Sequence, residues 1–231
     1  MSLLIVIPAY NEELNIERVV DNLTEHFPQY DYVVVNDGSK DHTAEICRRR
    51  GYRLLDLPTN LGLAGGFQAG LKLADRMGYD YAIQLDGDGQ HDPVYIQGML
   101  EQMEHSGADI VIGSRFVTEK KPRSLRMLGS NIIQLAIRLT TGKNVLDPTS
   151  GMRLFNRSMI HEFATNLNYG PEPDTISYLM RNGAKVEEYP VVMQERIAGT
   201  SYLNLSRSIE YMMRMCISIL LVQPFRKRSI S

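Results

Sequence analysis

The sequence predicts an α/β fold: a mainly parallel, Rossmann-like sheet with helices on both faces, in a single domain. Three observations carry this reading. Short apolar, β-rich runs alternate with helical patterns through the first half of the chain, as βα units do. The residues that follow those runs are unusually polar, which suits a sheet that presents its ligand beyond the carboxyl ends of its strands. A chain of 231 residues with 43% hydrophobic content is also long enough for one well-filled core.

Taken in order, the alternation places strands at 3–7, 32–35, 52–57, 81–85 and 109–112, and helices at 15–25, 41–50, 64–76 and 93–106. Asp41 stands where it would cap the helix that runs to Arg50, and Asp92-Pro93 puts proline where a first helical turn accepts it. The second half is less regular. It offers a long helical pattern at 124–140, a loop at 147–151, a helix near 174–181 and a strand across 185–193, with no repeat or low-complexity linker. Residues 1–203 read as the main domain and 204–231 as an apolar, amphipathic helix with a basic tail.

A formal charge of -2 leaves no basic excess for a nucleic-acid backbone, so a dedicated nucleic-acid binder is excluded. The only cysteines, Cys47 and Cys216, lie far apart inside apolar helical patterns, which suits reduced thiols in the cytoplasm better than a disulfide framework. The N-terminus enters an apolar strand directly, without a basic region or small-residue cleavage site, so the active domain is expected to face the cytoplasm.

The chemistry concentrates at the strand ends. Pro8-Ala9-Tyr10-Asn11-Glu12 follows the first strand, Asn36-Asp37-Gly38-Ser39 the second, and Asp86-Gly87-Asp88-Gly89-Gln90-His91 the fourth. In a parallel sheet these ends would meet in one crevice. Asp86 and Asp88, one residue apart on a glycine-flanked turn, can face a single divalent cation, with Gln90 adding a neutral oxygen. Oxygen ligands favour Mg²⁺ or Mn²⁺ over zinc, and such a cation would screen a diphosphate and polarise it as it leaves. Asp-Gly-Asp alone is also an ordinary turn. Its position after an apolar run, with Pro93 opening a helix where a hairpin would need a second strand, favours the metal. His91 is left out of the ligand set, because a single histidine beside an oxygen site is more often structural. The glycine-rich stretch 60–70 leads into a helix and either presents backbone N–H groups to a phosphate or lets the helix pack closely. It is not a dinucleotide fingerprint, which belongs at the first βα turn, where this chain has no glycine.

Together, the segments 6–12, 34–41, 60–70, 86–93, Gly113-Ser114-Arg115 and 147–153 resemble the family 2 glycosyltransferases of the GT-A fold, in order from about Leu3 to Leu203. The likeness is greatest to polyprenyl-phosphate sugar synthases. It implies a GT-A domain over residues 1–203 and an inverting transfer of a hexose from a UDP- or GDP-sugar to a polyprenyl phosphate. Pro8, Tyr10, Glu12 and Asp37 would surround the nucleoside, and Asp86, Asp88 and Gln90 the metal. Arginines matching Arg115 and Arg126 grip the acceptor phosphate in that family, and one matching Arg196 lies near the donor phosphates. Guanidinium suits both tasks, since its planar fork pairs with phosphate oxygens. Met152 stands where the family's 147–153 loop usually has phenylalanine. Asp174 falls near the family's general base for hydroxyl acceptors, with Glu172 as a rival; either would matter if the acceptor were a sugar hydroxyl on a growing glycan, or would cap the following helix.

The apolar stretch 209–222 holds Arg214, is too short to span a bilayer and leads to Arg226-Lys227-Arg228. It reads as an interfacial helix for the inner membrane face or a small membrane-protein partner, with packing on its own domain or a homo-oligomer seam as the competing readings.

Overall fold

The protein is described here from a computed structural model. It describes residues 1–119, 121, 125–166, 170–194 and 205–226. Seven strands form one sheet: β1 (Leu3–Ala9), β2 (Asp31–Asp37), β3 (Leu54–Leu57), β4 (Tyr81–Gln84), β5 (Ile110–Ser114), β6 (Arg153–Asn156) and β7 (Val186–Pro190). Their order is β3-β2-β1-β4-β6-β5-β7, and β6 alone runs antiparallel to its neighbours β4 and β5. The order turns outward in both directions from the β1–β4 pair, where Leu3 lies beside Tyr81 and Val6 beside Gln84. That reversal is where an open α/β sheet leaves a crevice for ligand.

Side chains alternate along each strand, so successive residues of β1 serve opposite layers. Leu3, Ile5 and Ile7 face α1 (Ile16–His26), α2 (Thr43–Arg50) and α4 (Ile96–Ser106). Leu4 and Val6 face α3 (Gly62–Met77), α5 (Leu125–Thr141), α6 (Arg157–Thr165), α7 (Pro173–Arg181) and α8 (Leu205–Ile217). The two-sided cover expected from the sequence is therefore present. Helix starts follow their local signals. The Asp41 carboxylate accepts the Thr43 N–H at 3.0 Å, and Asp92 accepts Val94 N–H at 3.0 Å to open a 3-10 turn, Pro93–Tyr95, ahead of α4. The C-terminal helix is less regular than expected: α8 widens into a π-helical turn at Ser218–Val222. Met215 and Ile219 nonetheless sit in the main core, so this segment packs on the domain.

The glycine-rich stretch shows what its glycines do. A Cβ on Gly70 would lie 2.2 Å from Val6 Cγ1, so α3 presses directly on the central strand. Close packing, rather than an open phosphate cradle, is what this part of the stretch provides. Gly70→Ala is expected to cost about 1–3 kcal/mol by overpacking, which chemical denaturation would measure.

Candidate active site

Three strand ends gather around Pro8. A Cβ on Gly66 of α3 would lie 3.6 Å from Asp37 Cβ and 3.9 Å from Pro8 Cβ; one on Gly87 would lie 3.1 Å from the Pro8 carbonyl and 3.5 Å from Glu12 Cγ. The β1 loop is stitched to the β2 loop by Asn11, which adopts φ 57°, a left-handed conformation that asparagine tolerates. Its N–H donates to Ser39 Oγ at 3.0 Å and its Oδ1 accepts Lys40 N–H at 2.9 Å. The Glu12 carboxylate accepts the Asn15 side-chain amide at 2.8 Å, which fixes it at the head of α1.

Asp37 is buried, and its Oδ1 accepts the Leu61 N–H at 2.7 Å at the start of α3. Burial raises its pKa above the usual carboxylate value, against the pull of the Leu61 and Gly62 amides. A carboxylate with a raised folded pKa weakens stability as pH climbs from its ordinary value of 3.8 through the folded value. Above that window the penalty is fully present. Asp37→Asn, which keeps an acceptor for Leu61, is thus expected to melt no lower than the parent at pH 7. The parent should gain on the variant as pH falls through the window, while donor binding by the variant weakens. Melting curves across pH, with a donor titration, check both halves.

The acidic turn is held from several sides. His91, buried, accepts the Asp86 N–H on Nδ1 at 3.0 Å, and its Nε2 lies 3.6 Å from Asp86 Oδ2. The histidine thereby supports the turn. Gln84 Nε2 donates to Asp86 Oδ1 at 3.1 Å, Asp88 Oδ1 accepts Gln90 N–H at 3.0 Å, and Arg18 donates to the Asp88 carbonyl at 3.2 Å. Gly89 takes φ 78° to close the turn. The Gln90 backbone is also paired with Gln194, whose N–H donates to the Gln90 carbonyl at 2.9 Å.

Among the described residues, no three of histidine, cysteine, aspartate and glutamate gather as a ready cation cage. The donor set is instead two carboxylates, Asp86 and Asp88, on one turn, while the Gln90 amide donates to the Gln194 carbonyl at 3.5 Å. It fits Mg²⁺ or Mn²⁺ of the kind that takes one or two protein carboxylates and completes its shell with phosphate oxygens and water.

The loop 147–153 lies against this turn, a Cβ on Gly151 being 3.2 Å from Asp86 Oδ2; in it Asp147 is fully buried and receives Arg115 through a fork: Nε and Nη2 each donate at 2.7 Å, and the Arg115 backbone N–H donates at 3.2 Å. Glu188 on β7 clamps the same loop by accepting the Leu146 and Asp147 N–H groups at 2.7 and 2.8 Å. Lys121 lies over the Phe116 ring at 5.3 Å, as the Arg115 guanidinium does at 5.0 Å, and donates to Gln134 at 2.9 Å and Ser130 at 3.3 Å. Burial lowers the Lys121 pKa, and the Asp147 and Glu188 charges oppose that shift. The sequence reading placed Arg115 but missed Asp147, Glu188 and Lys121 as its surroundings. The loop motif at 147–153 was the one signal for Asp147.

The remaining expectations separate. Arg126 lies on α5, but its side chain is outside the described residues, as is the whole of Arg196. Asp174 is buried with both oxygens occupied: Oδ1 accepts Thr175 N–H at 2.9 Å, and Oδ2 accepts Ser218 Oγ at 2.6 Å and Gln223 Nε2 at 3.4 Å. These bonds fasten the C-terminal turn to α7. Glu172 sits at the N-cap of α7 without capping it; its Oε2 accepts the Tyr211 hydroxyl at 2.6 Å.

Comparison with known proteins bears on the family and the fold. The sequence model of the family described as "Glycosyl transferase family 2" matches residues 4–163. The polyprenol monophosphomannose synthase of Mycolicibacterium smegmatis is 28% identical, with 92% of this chain and 84% of that protein covered. The undecaprenyl-phosphate mannosyltransferase of Micrococcus luteus is 31% identical, with 88% of each covered. Among solved structures, glucosyl-3-phosphoglycerate synthase from Mycobacterium tuberculosis, in complex with Mn²⁺, UDP-glucose and phosphoglyceric acid, superposes with a TM-score of 0.71 at 19% identity, covering 99% of this chain and 81% of that one. That likeness is one of fold, the GT-A architecture expected from the sequence. With every strand-end carboxylate from Glu12 to Asp147 inside the matched stretch, the chain belongs to glycosyl transferase family 2 and is a glycosyltransferase.

Proposed function

We propose that the enzyme transfers a hexose from a UDP- or GDP-sugar to a polyprenyl phosphate. The observation that carries this is the pairing of Arg115 with Asp147, which holds a guanidinium on the loop that reaches the acidic turn, where a Cβ on Gly151 would lie 3.2 Å from Asp86 Oδ2. Pro8, Tyr10, Glu12 and Asp37 hold the nucleoside at the β1–β2 side, and Asp86, Asp88 and Gln90 hold Mg²⁺ or Mn²⁺ against the diphosphate. That cation supplies charge neutralisation to the leaving diphosphate. Arg115, with Arg126, receives the acceptor phosphate, and Arg196 the donor phosphates. An oxygen of the acceptor phosphate displaces the nucleoside diphosphate at the anomeric carbon. Such a phosphate is already ionised near neutral pH and needs no general base, in keeping with an Asp174 whose oxygens are occupied.

Among the described residues no helix is long and apolar enough to cross a membrane. Two helical faces are nonetheless apolar and exposed: Leu128, Ile132, Leu135 and Leu139 on α5, and Met213, Ile217, Leu221 and Phe225 along the C-terminal segment. Arg138 and Arg214 belong to the same helices, and Arg226-Lys227-Arg228 follows. Apolar rows with basic neighbours suit peripheral attachment to the anionic inner membrane face, where the lipid acceptor resides. The two relatives named above support this acceptor class through the lipid phosphates in their names.

The test is transfer of radiolabelled hexose by purified protein with Mn²⁺ and polyprenyl phosphate. The expected product releases its sugar in mild acid; a product whose sugar survives that treatment would place the acceptor among hydroxyl compounds instead.

A further inference from the structure

Among the described residues, Lys121 is a half-buried cation held only by neutral groups. Its Nζ donates to Gln134 Oε1 at 2.9 Å and to Ser130 Oγ at 3.3 Å, both on α5, and lies 5.3 Å from the centre of the Phe116 ring. Such partners replace the hydrogen bonds of water but leave the charge unbalanced. The two carboxylates whose charge favours the ammonium are committed elsewhere. Asp147 receives the Arg115 fork, and Glu188 accepts the Leu146 and Asp147 N–H groups.

Phe116 ties this lysine to Arg115. The Arg115 guanidinium lies 5.0 Å from the centre of the same ring, so the two cations share one side chain. Gln134 is fixed from behind, since its Nε2 donates to Asn144 Oδ1 at 2.9 Å and leaves Oε1 for Lys121. The Arg115 charge is balanced by Asp147; the Lys121 charge has no such partner among the described residues. A phosphate monoester carries a charge of about −1.5 to −2 near neutral pH, and once docked at Arg115 it supplies the counter-charge that a lipid alcohol lacks. We propose that Lys121 is a specificity-determining residue, the cation by which the acceptor site selects a lipid phosphate over an uncharged lipid alcohol. This deepens the reading of Arg115 as a residue for the acceptor phosphate and rests on it.

A lysine so placed could also serve as a plain tether between the segment after β5 and α5, and two substitutions separate that role from a charge role. Gln134→Glu keeps an acceptor oxygen for Lys121, so the tether survives as an ion pair while the charge is cancelled from within. Lys121→Met removes both charge and tether but keeps most of the apolar stem. The full-length protein and both variants are titrated by calorimetry in detergent with a short-chain polyprenyl phosphate, with the matching polyprenol, and with a nucleoside diphosphate plus Mn²⁺. The parent is expected to bind the phosphate at least about tenfold more tightly than the alcohol. Each variant should lose roughly tenfold in phosphate binding, as for one charge-assisted hydrogen bond. Binding of the alcohol and of the nucleoside diphosphate should stay within about twofold of the parent, and Lys121→Arg should retain the preference. A parent that does not prefer the phosphate would overturn the acceptor-phosphate reading and this inference with it. If the parent prefers the phosphate, Gln134→Glu retaining that preference in full would overturn the role of the lysine alone and leave it a tether. Weakened binding of the nucleoside diphosphate in place of the lipid phosphate would overturn it too, by assigning the cation to the donor.

Discussion

Asp88→Ala is expected to abolish sugar transfer and metal-dependent donor binding while leaving the sheet folded. Asp88 is 3% exposed, and its Oδ1 is turned onto the Gln90 N–H, so alanine removes both a carboxylate and a support of the turn. The first loss dominates. Lewis-acid stabilisation of a leaving diphosphate is worth several kcal/mol, and at about 1.36 kcal/mol per tenfold the rate should fall roughly a thousandfold or more. Asp88→Asn separates the two losses, since its amide oxygen still accepts from Gln90 but carries no charge. Equal inactivity in both variants is the expected result, measured as initial rates across a Mn²⁺ titration. Substantial activity in Asp88→Asn would assign the aspartate to turn geometry alone.

The second large effect falls on the acceptor side. Asp147→Asn keeps the volume and one acceptor oxygen but cannot receive both Nε and Nη2 of Arg115. Breaking a hydrogen-bonded charge pair with one partner fully buried costs about 2–5 kcal/mol, and the low end applies here because the Arg115 side chain is 23% exposed. Water can take over part of what the carboxylate loses. Catalytic loss should exceed the stability loss in consequence: with the guanidinium free to swing, kcat/KM for the lipid phosphate is expected to drop roughly a hundredfold, about 2.7 kcal/mol. Donor affinity, measured by calorimetry, should hardly change, because the proposed nucleoside residues lie on and after β1 and β2, away from Asp147.

What was legible in the sequence was what local signals encode. The βα units from Leu3 to Ser114 were readable because apolar runs, caps and glycines repeat within a few residues, and the boundaries moved by only a few residues. β6 and α6 were not read. The strand is four residues long and begins with an arginine, and its antiparallel insertion between β4 and β5 is decided by tertiary packing. The same division holds at the site. Asp37, Asp86 and Asp88 were singled out as candidates because strand ends of such a sheet converge. The partners that complete the site are separated by long stretches of chain: Arg115 from Asp147, Leu146 from Glu188, Asp174 from Ser218 and Glu172 from Tyr211. No local pattern predicts such pairs. Asp174 shows the consequence: its bonds to Ser218 and Gln223 on the C-terminal turn carry no local signal.

On the proposed mechanism, the carboxylates beside the β1–β4 reversal hold a divalent ion that carries the donor's diphosphate. Anomalous diffraction from crystals soaked with Mn²⁺ and a nucleoside diphosphate tests this most directly. The predicted result is a manganese peak about 2.0–2.2 Å from oxygens of Asp86 and Asp88 and from the diphosphate. A diphosphate bound in the crevice without manganese at either aspartate, or manganese bound elsewhere, would contradict it.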